Sequence, residues 1–491
     1  MAKTQSVDIH GKPYKRGLLV MVLLLGNFCT ILNQTILSTA FPTLMHDFNV
    51  SASTVQWLTT GFMLVNGIMI PISAYLINRF STKYLYLTAM SVFFVGTLTC
   101  FIAPSFVVLL MGRLIQALAV GLAIPMVQTV MLSIFPPEKR GVAMGMTGIV
   151  VGLAPAIGPT LSGWIIDRYS WRDLFGMILP IVIVILIAAF FCMRDVIPNE
   201  ELKLDALSVV LSIVGFGSLL YGFSSVGNDG WTSPVVLTSL AIGVIFILLF
   251  AWRQFKMESP LLDLRVFKKS RFTLASFISS SVFMMMIGVE MVLPMYIQNI
   301  RGEDAFHSGL TLLPGALLIG VMMPIAGRIC DKYGAKRLGI TGLFIATSGT
   351  IPLMYLTTET PMFFLTLVYA VRMLGIAMVM MPMTTSGMNA LPTEMISHGT
   401  AVNNTIRQIM GSIGTAILVS TLSTATTNAA PSDALKTTAP LVFKHDMIHS
   451  VLTGYHAAFF MASLFGLVGF VLTLFLNEKK DNSLEGGQAH D

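Results

Sequence analysis

Fourteen stretches of about 20 mostly apolar residues succeed one another along this chain, near residues 17–41, 54–77, 84–103, 106–133, 141–166, 173–193, 206–226, 233–252, 272–297, 308–330, 337–356, 361–390, 399–424 and 452–476. A helix of that length crosses the hydrocarbon core of a bilayer and satisfies all its backbone polar groups without water. Of 491 residues, 55% are hydrophobic and 11% charged, whereas soluble domains carry about 25% charged residues. The expected fold class is therefore an all-α polytopic membrane protein with 14 transmembrane helices.

An even number of spans leaves both ends on one face. Loops on that face hold most of the lysines and arginines, including Arg253, Lys256, Arg265, Lys268, Lys269 and Arg271 in a single connection. The opposite face holds Arg168, Arg172, Arg301, Lys436 and Lys444. By the positive-inside rule both termini are expected in the cytoplasm. The net charge of +6 thus reports topology and gives no reason to expect a nucleic-acid partner. The basic N-terminal tail precedes a span too long for a signal-peptide core and is expected to stay uncleaved. The polar tail after Leu476 is expected to be disordered. The four cysteines lie in or beside apolar spans with no spacing for a disulfide framework or a zinc site.

The chain contains an internal repeat. PISAYLINRFSTKYL, from Pro71 to Leu85, aligns without gaps on PIAGRICDKYGAKRL, from Pro324 to Leu338. Each copy follows the second helix of a six-helix set, and the offset leaves room for an extra helix pair between the sets. The expected organisation is a six-helix bundle over 1–198, a two-helix linker hairpin over 199–258 and a second bundle with a tail over 259–491. The halves are then parallel repeats about an axis normal to the membrane.

GIVVGLAPAIGPTLSGW, from Gly148 to Trp164, gives the fifth span a face almost free of side chains. At about 100° per residue, Gly148, Gly152, Pro155, Pro159 and Gly163 fall close together on the helix, and such a face allows tight helix packing in lipid. Pro155 and Pro159, one turn apart, predict a kink. The stretch resembles the antiporter motif of drug/proton antiporters of the major facilitator superfamily, which implies a packing seam that includes Gly158 and limits uncoupled leak. The second repeat copy, with Gly327, Asp331, Lys332, Gly334 and Lys336, is similar to the superfamily's basic loop. The resemblance implies a cytoplasmic gate of Asn78, Arg79 and Lys83 in one half and Asp331, Lys332 and Lys336 in the other. Asn78 stands where the acid of that loop would be, so the first lock is expected to be weaker.

Leu32-Asn33-Gln34-Thr35-Ile36 in the first helix is similar to the signature of fourteen-span EmrB/QacA-type antiporters, with Asn33 in place of an acid. Gln56-Trp57, Gly112-Arg113-Leu114-Ile115-Gln116, Leu293-Pro294-Met295-Tyr296 and Asn404-Thr405-Ile406-Arg407-Gln408 continue the resemblance over nearly the whole chain. It implies a substrate site among Asn33, Gln34, Gln56, Trp57, Gln116, Glu290, Tyr296, Asn404 and Arg407.

A charge in hydrocarbon is costly, so each one should face protein or a wet cavity. Three arginines, Arg113, Arg372 and Arg407, fall within spans; Arg113 is either a cap on backbone carbonyls or an aid to proton exchange, Arg372 reads as structural, and Arg407, in a polar turn with Asn403, Asn404 and Gln408, is either packing glue or a substrate contact. Glu290 is the one acid well inside a span. It is expected to couple protons, with Arg113 and the neutral Asn33 beside the path; the competing reading is a structural glutamate paired with an arginine. With one deep acid, about one proton per cycle is expected. Methionine clusters at 284–295 and 378–388 suit a repacking cavity. Isolated histidines such as His46, His398 and His456 suggest no chemistry.

The expected function is proton-coupled efflux of lipophilic neutral, zwitterionic or monocationic compounds by alternating access at the cell membrane. The partners are small molecules, protons and lipid; the protein acts as a monomer and needs no cofactor and no metal. The alternatives are a dedicated exporter of an endogenous metabolite, nucleotide or lipid and, in another class, a channel or membrane enzyme. The absence of a metal cluster, Walker loop or nucleophile elbow in the sequence argues against an enzyme.

Overall fold

The computed structural model describes residues 6–37, 40–50, 52–166, 168–200, 204–432, 435 and 439–477. The helices are α1 (Arg16–Thr35), the short α2 (Phe41–Phe48), α3 (Ala52–Arg79), α4 (Thr82–Phe101), α5 (Phe106–Ile134), α6 (Arg140–Ile166), α7 (Asp173–Gly176) and α8 (Ile178–Cys192). They continue with α9 (Ala206–Asp229), α10 (Pro234–Lys256), α11 (Ser270–Asn299), α12 (Ala305–Tyr333), α13 (Ala335–Thr350), α14 (Met362–Met388), α15 (Ile396–Asn428) and α16 (Pro440–Leu474). Thirteen helical stretches among the described residues are long and apolar enough to cross a membrane. The 27-residue α6 is the fourteenth helix of membrane length.

Local chemistry sets the helix ends. The Ser105 hydroxyl accepts from the Val108 amide at the start of α5, and the Asp304 carboxylate accepts from the His307 amide at the start of α12. Gly230 and Gly334, at φ 78° and 86°, turn the chain after α9 and α12 in the left-handed region that favours glycine. Prolines inside α3, α5, α11, α12 and α14 are tolerated because neighbouring helices in a bundle satisfy the freed carbonyls.

Two large apolar cores organise the chain. One lies wholly within residues 19–197, the other mainly within 261–476. Between them in sequence, α9 and α10 form a hairpin fastened at the basic face by Asp205 and Arg253, with Nε to Oδ2 at 2.6 Å and Nη2 to Oδ1 at 2.8 Å. The Arg253 hydrogen bond holds the Asp205 carboxyl well below the usual aspartate range. α9 leans on both halves: Leu220 fills the space over Gly67 of α3, and Val419 of α15 packs at Gly227. Beyond the end of α9, the Trp231 indole donates to the Ser420 hydroxyl at 2.8 Å. α10 turns outward, exposing Leu237, Ile245, Leu248 and Trp252.

Three features differ from the sequence reading. The first span ends at Thr35 and is followed by the separate α2, whose Asp47 accepts from the Trp171 indole at 2.9 Å. The loop expected over 424–450 is shortened from both sides, because α15 runs to Asn428 and α16 begins at Pro440. The N-terminal tail pairs Ser6–Val7 with Pro13–Tyr14 as a two-stranded ribbon, and the Ile9 amide donates to the Asp195 carbonyl at 3.0 Å. Residues 478–491, for which disorder was expected, lie outside the described set.

Candidate functional site

α6 of the first half packs along α12 of the second through a ladder of small residues. Added Cβ atoms at Gly145, Gly148 and Gly152 would lie 2.7 Å from Pro324 Cα, 2.2 Å from the Met323 sulfur and 2.1 Å from Ile319 Cγ2. At the basic face the backbones nearly touch: a Cβ on Gly327 would stand 2.1 Å from the Gly141 carbonyl oxygen. The antiporter-motif stretch is thus an inter-half seam over its first two turns. Farther along, Gly158 faces Thr35 of α1, and Gly163 faces open space. The side chains of Pro155 and Pro159, on which the kink was expected, lie outside the described residues.

Polar contacts close the same seam at the basic face. Asp331 Oδ1 accepts from the Gly141 amide at 2.9 Å and Oδ2 from the Val142 amide at 3.1 Å, which places a carboxylate on the amino end of α6. The aligned residue in the first repeat, Asn78, meets His398 near the amino end of α15, Nδ2 to Nε2 at 3.1 Å. His398 Nδ1 accepts from the Asp263 amide at 3.1 Å. A backbone amide can only donate, so the neutral ring carries its proton on Nε2, and the Asn78 amide must turn its oxygen toward it. Arg140 Nη1 donates to Asn389 Oδ1 at 3.1 Å, and Asn404 Nδ2 donates to Gln128 Oε1 at 2.6 Å. At the opposite face Arg172 donates to the Ala103 carbonyl at 3.0 Å and Tyr296 to the Thr357 carbonyl at 2.5 Å, each within one half, and Trp231 ties the linker to the second half. The halves are therefore latched at the basic face.

Of the expected gate residues, Asn78 and Asp331 make hydrogen bonds across the seam among the described residues. Lys83 lies over the Phe190 ring at 4.9 Å, Lys332 over Tyr333 at 5.0 Å, and Lys336 donates to the Leu474 carbonyl at 2.8 Å within its own half. His398, Gln128, Arg140 and Asn389 complete the latch. Sequence reading passed over His398 because its partners are remote in sequence; the alignment of Asn78 with Asp331 was the signal available.

The expected substrate residues separate into groups. Asn33, Arg113 and Gln116 are fully buried inside the first half. Arg113 Nη1 donates to the Asn33 carbonyl and to Gln116 Oε1, both at 3.0 Å, and its guanidinium lies 4.3 Å from the centre of the Phe62 ring. Gln116 Nε2 donates to Thr97 at 2.9 Å. This network holds α1, α4 and α5 together, with Asn33 Nδ2 and Arg113 Nη2 left buried without a partner among the described residues. Trp57 stacks on Tyr221 of α9 at 6.0 Å, and Gln56 beside it is exposed, so both sit on the linker flank. Tyr296 is fully buried and packs edge-on to Tyr455 at 5.7 Å. Gln34 is half-buried at the end of α1.

Phe283, Ile287 and Glu290 are half-buried positions on one face of α11. The cation within electrostatic reach of Glu290 is Arg372 of α14, whose Nη2 donates to the Met285 carbonyl at 2.5 Å. Arg372 occupies the fourth helix of its half, as Arg113 does in the first. Its bond to a backbone carbonyl is of the structural kind expected for it. Arg407 lies 4.6 Å over the Phe283 ring, so Arg407 stands beside Phe283 and Arg372 within reach of Glu290, the two α11 residues being two turns apart. A separate cavity of about 540 Å³, lined by Arg16, Val20, Leu24, Phe28 and Met146, opens on the flank between α1 and α6, away from these groups. No cluster of His, Cys, Asp and Glu that could hold a metal exists among the described residues.

Known proteins share this architecture. The sequence profile of the Major Facilitator Superfamily matches residues 23–415. The chain is 50% identical over 473 residues to the uncharacterized MFS-type transporter YcnB of Bacillus subtilis (strain 168), covering 96% of this chain and 98% of that one. It is 39% identical over 462 residues to the lincomycin resistance protein LmrB of Listeria innocua, covering 94% and 97%. To the multidrug export protein EmrB of Escherichia coli (strain K12) it is 29% identical over 415 residues, covering 83% and 80%. Among solved structures, the human organic anion transporter MFSD10 superposes with a TM-score of 0.65 at 14% identity, covering 93% and 99%. The chain belongs to the Major Facilitator Superfamily.

Proposed function

We propose that the protein is a proton-coupled exporter of lipophilic neutral, zwitterionic or monocationic compounds, working as a monomer in the cell membrane with both termini in the cytoplasm. The observation that carries the reading is Glu290, a carboxyl within a membrane-length helix, on the accessible face of α11 and within reach of Arg372. Its proton leaves when cargo arrives and returns when the cavity empties, while the basic-face latch breaks and re-forms as the halves rock. The relation to LmrB and EmrB supports a drug as cargo, and the excess of basic residues on the latched face supports its being cytoplasmic.

The test uses the full chain in proteoliposomes with an imposed pH difference. Lincomycin, or a monocation such as ethidium, should accumulate against its gradient, and nigericin should stop it. Accumulation that survives collapse of the pH difference would refute proton coupling. A dedicated exporter of a metabolite, nucleotide or lipid shares the same latch and carboxyl, and is separated by growth of a deletion strain that is unaltered across a drug panel.

A further inference from the structure

Of the three arginines inside spans, Arg407 stands apart. Arg113 donates to Asn33, Leu58 and Gln116, and Arg372 donates to Met285. Arg407 is 7% exposed, lies over the Phe283 ring, and has neither a hydrogen-bond acceptor nor a carboxylate partner among the described residues. Its Nε is sealed from solvent with nothing to donate to.

Its surroundings share one property. Asn403, one turn toward the basic face on α15, has its Oδ1 3.3 Å from the Ser279 hydroxyl, whose one proton it shares with the Ser276 carbonyl at 3.0 Å, and its buried Nδ2 has no acceptor. The Ser280 hydroxyl, one turn before Phe283 on α11, is also buried and unpartnered. A guanidinium, an amide nitrogen and a hydroxyl, all with protons to give, call for an anion; a planar carboxylate or a phosphoryl group can take two guanidinium hydrogen bonds at once.

We propose that Arg407, Asn403 and Ser280 form an anion subsite between α11 and α15 that takes the carboxylate or phosphoryl group of the cargo. That the anion belongs to cargo rests on the transport reading; that the site binds an anion does not. The Asn404–Gln128 bridge lies one turn below and closes the seam toward the basic face, so the anion sits just above the latched floor. Glu290 lies seven residues beyond Phe283, about 10 Å along α11 at 1.5 Å per residue. A zwitterion with its cationic end toward Glu290 and its anionic end on Arg407 satisfies both, so within the proposed cargo class zwitterions are the compounds that engage both ends of the site.

Thermal unfolding of the purified full chain, titrated with sodium benzoate or phenylphosphonate against sodium chloride at constant ionic strength, tests the subsite. The wild type should gain stability that saturates with the organic anion. Arg407→Gln should weaken the apparent affinity at least about tenfold, and its own Tm should hold or rise, because an unpaired buried charge is removed. Ser280→Ala should weaken binding a few-fold, and it carries the test if Arg407→Gln does not fold. No saturating response in the wild type, or an equal response in the variants, overturns the proposal. A saturating, Arg407-dependent response in a protein that accumulates no cargo would sustain the subsite and refute the transport reading instead.

Discussion

The Asp331 carboxylate of α12 caps the amino end of α6 through Gly141, with Oδ1 2.9 Å from the Gly141 amide. The contact depends on glycine at 141, since an added Cβ would lie 2.3 Å from that same oxygen. Gly141→Val and Gly327→Val should each hold the halves apart at the basic face. A cysteine introduced near that end of the seam should label several-fold faster in these variants than in the wild-type background, and transport should fall in parallel. Unchanged labelling would show that the seam tolerates the added volume.

Asn78 and His398 form the matching latch with neutral partners. Asn78→Leu leaves the His398 Nε2 proton without an acceptor, at a cost of about 1–3 kcal/mol, and should favour the state open at the basic face. Asn78→Asp supplies a carboxylate to accept the same proton, so it should keep the latch. Equal basic-face labelling in the leucine and aspartate variants would contradict the assigned tautomer.

The Arg113 network predicts a stability effect separable from coupling. Arg113→Ala strands the Asn33 carbonyl and Gln116 Oε1 inside the first half and should destabilise the protein by about 2–3 kcal/mol, read as a lower Tm in detergent. The Gln116→Ala/Arg113→Ala double variant should lose less than the sum of the single losses, because the two side chains share one hydrogen bond. Strict additivity would count against it.

The linker hairpin makes its own pH prediction. Arg253 lowers the Asp205 pKa in the folded protein, so the pair's contribution is present above the ordinary aspartate value and is lost as pH falls below about 4. Asp205→Asn should lower Tm at pH 7, and the gap to wild type should close on acidification. The pair is partly solvent-exposed, so the gap should be small. A gap that widens below pH 4 would reverse the sign.

Span count, the repeat and the basic face were legible because hydrophobic length and charge placement are local properties of sequence. Asn78 and Asp331 could be singled out because a gapless repeat aligns them. What faces what was not legible. Asn33 and Gln116 read as a site because polar residues in a span must find a partner, but the sequence could not say that Gln116 would join Arg113 and the Asn33 side chain in one buried network. Trp57 read as a substrate contact and stacks on the linker pair, since periodicity does not tell a cavity from a neighbouring helix. The extra length of α15 was hidden because Thr, Ala and Ser serve both loops and helices.

The most direct test of proton–cargo exchange at Glu290 is a pH-indicator recording on purified protein in weakly buffered detergent as cargo is added. Wild type should release about one proton per bound cargo molecule, and Glu290→Gln should bind cargo with no proton release. Undiminished release from Glu290→Gln would place the exchanged proton on another group and contradict the account.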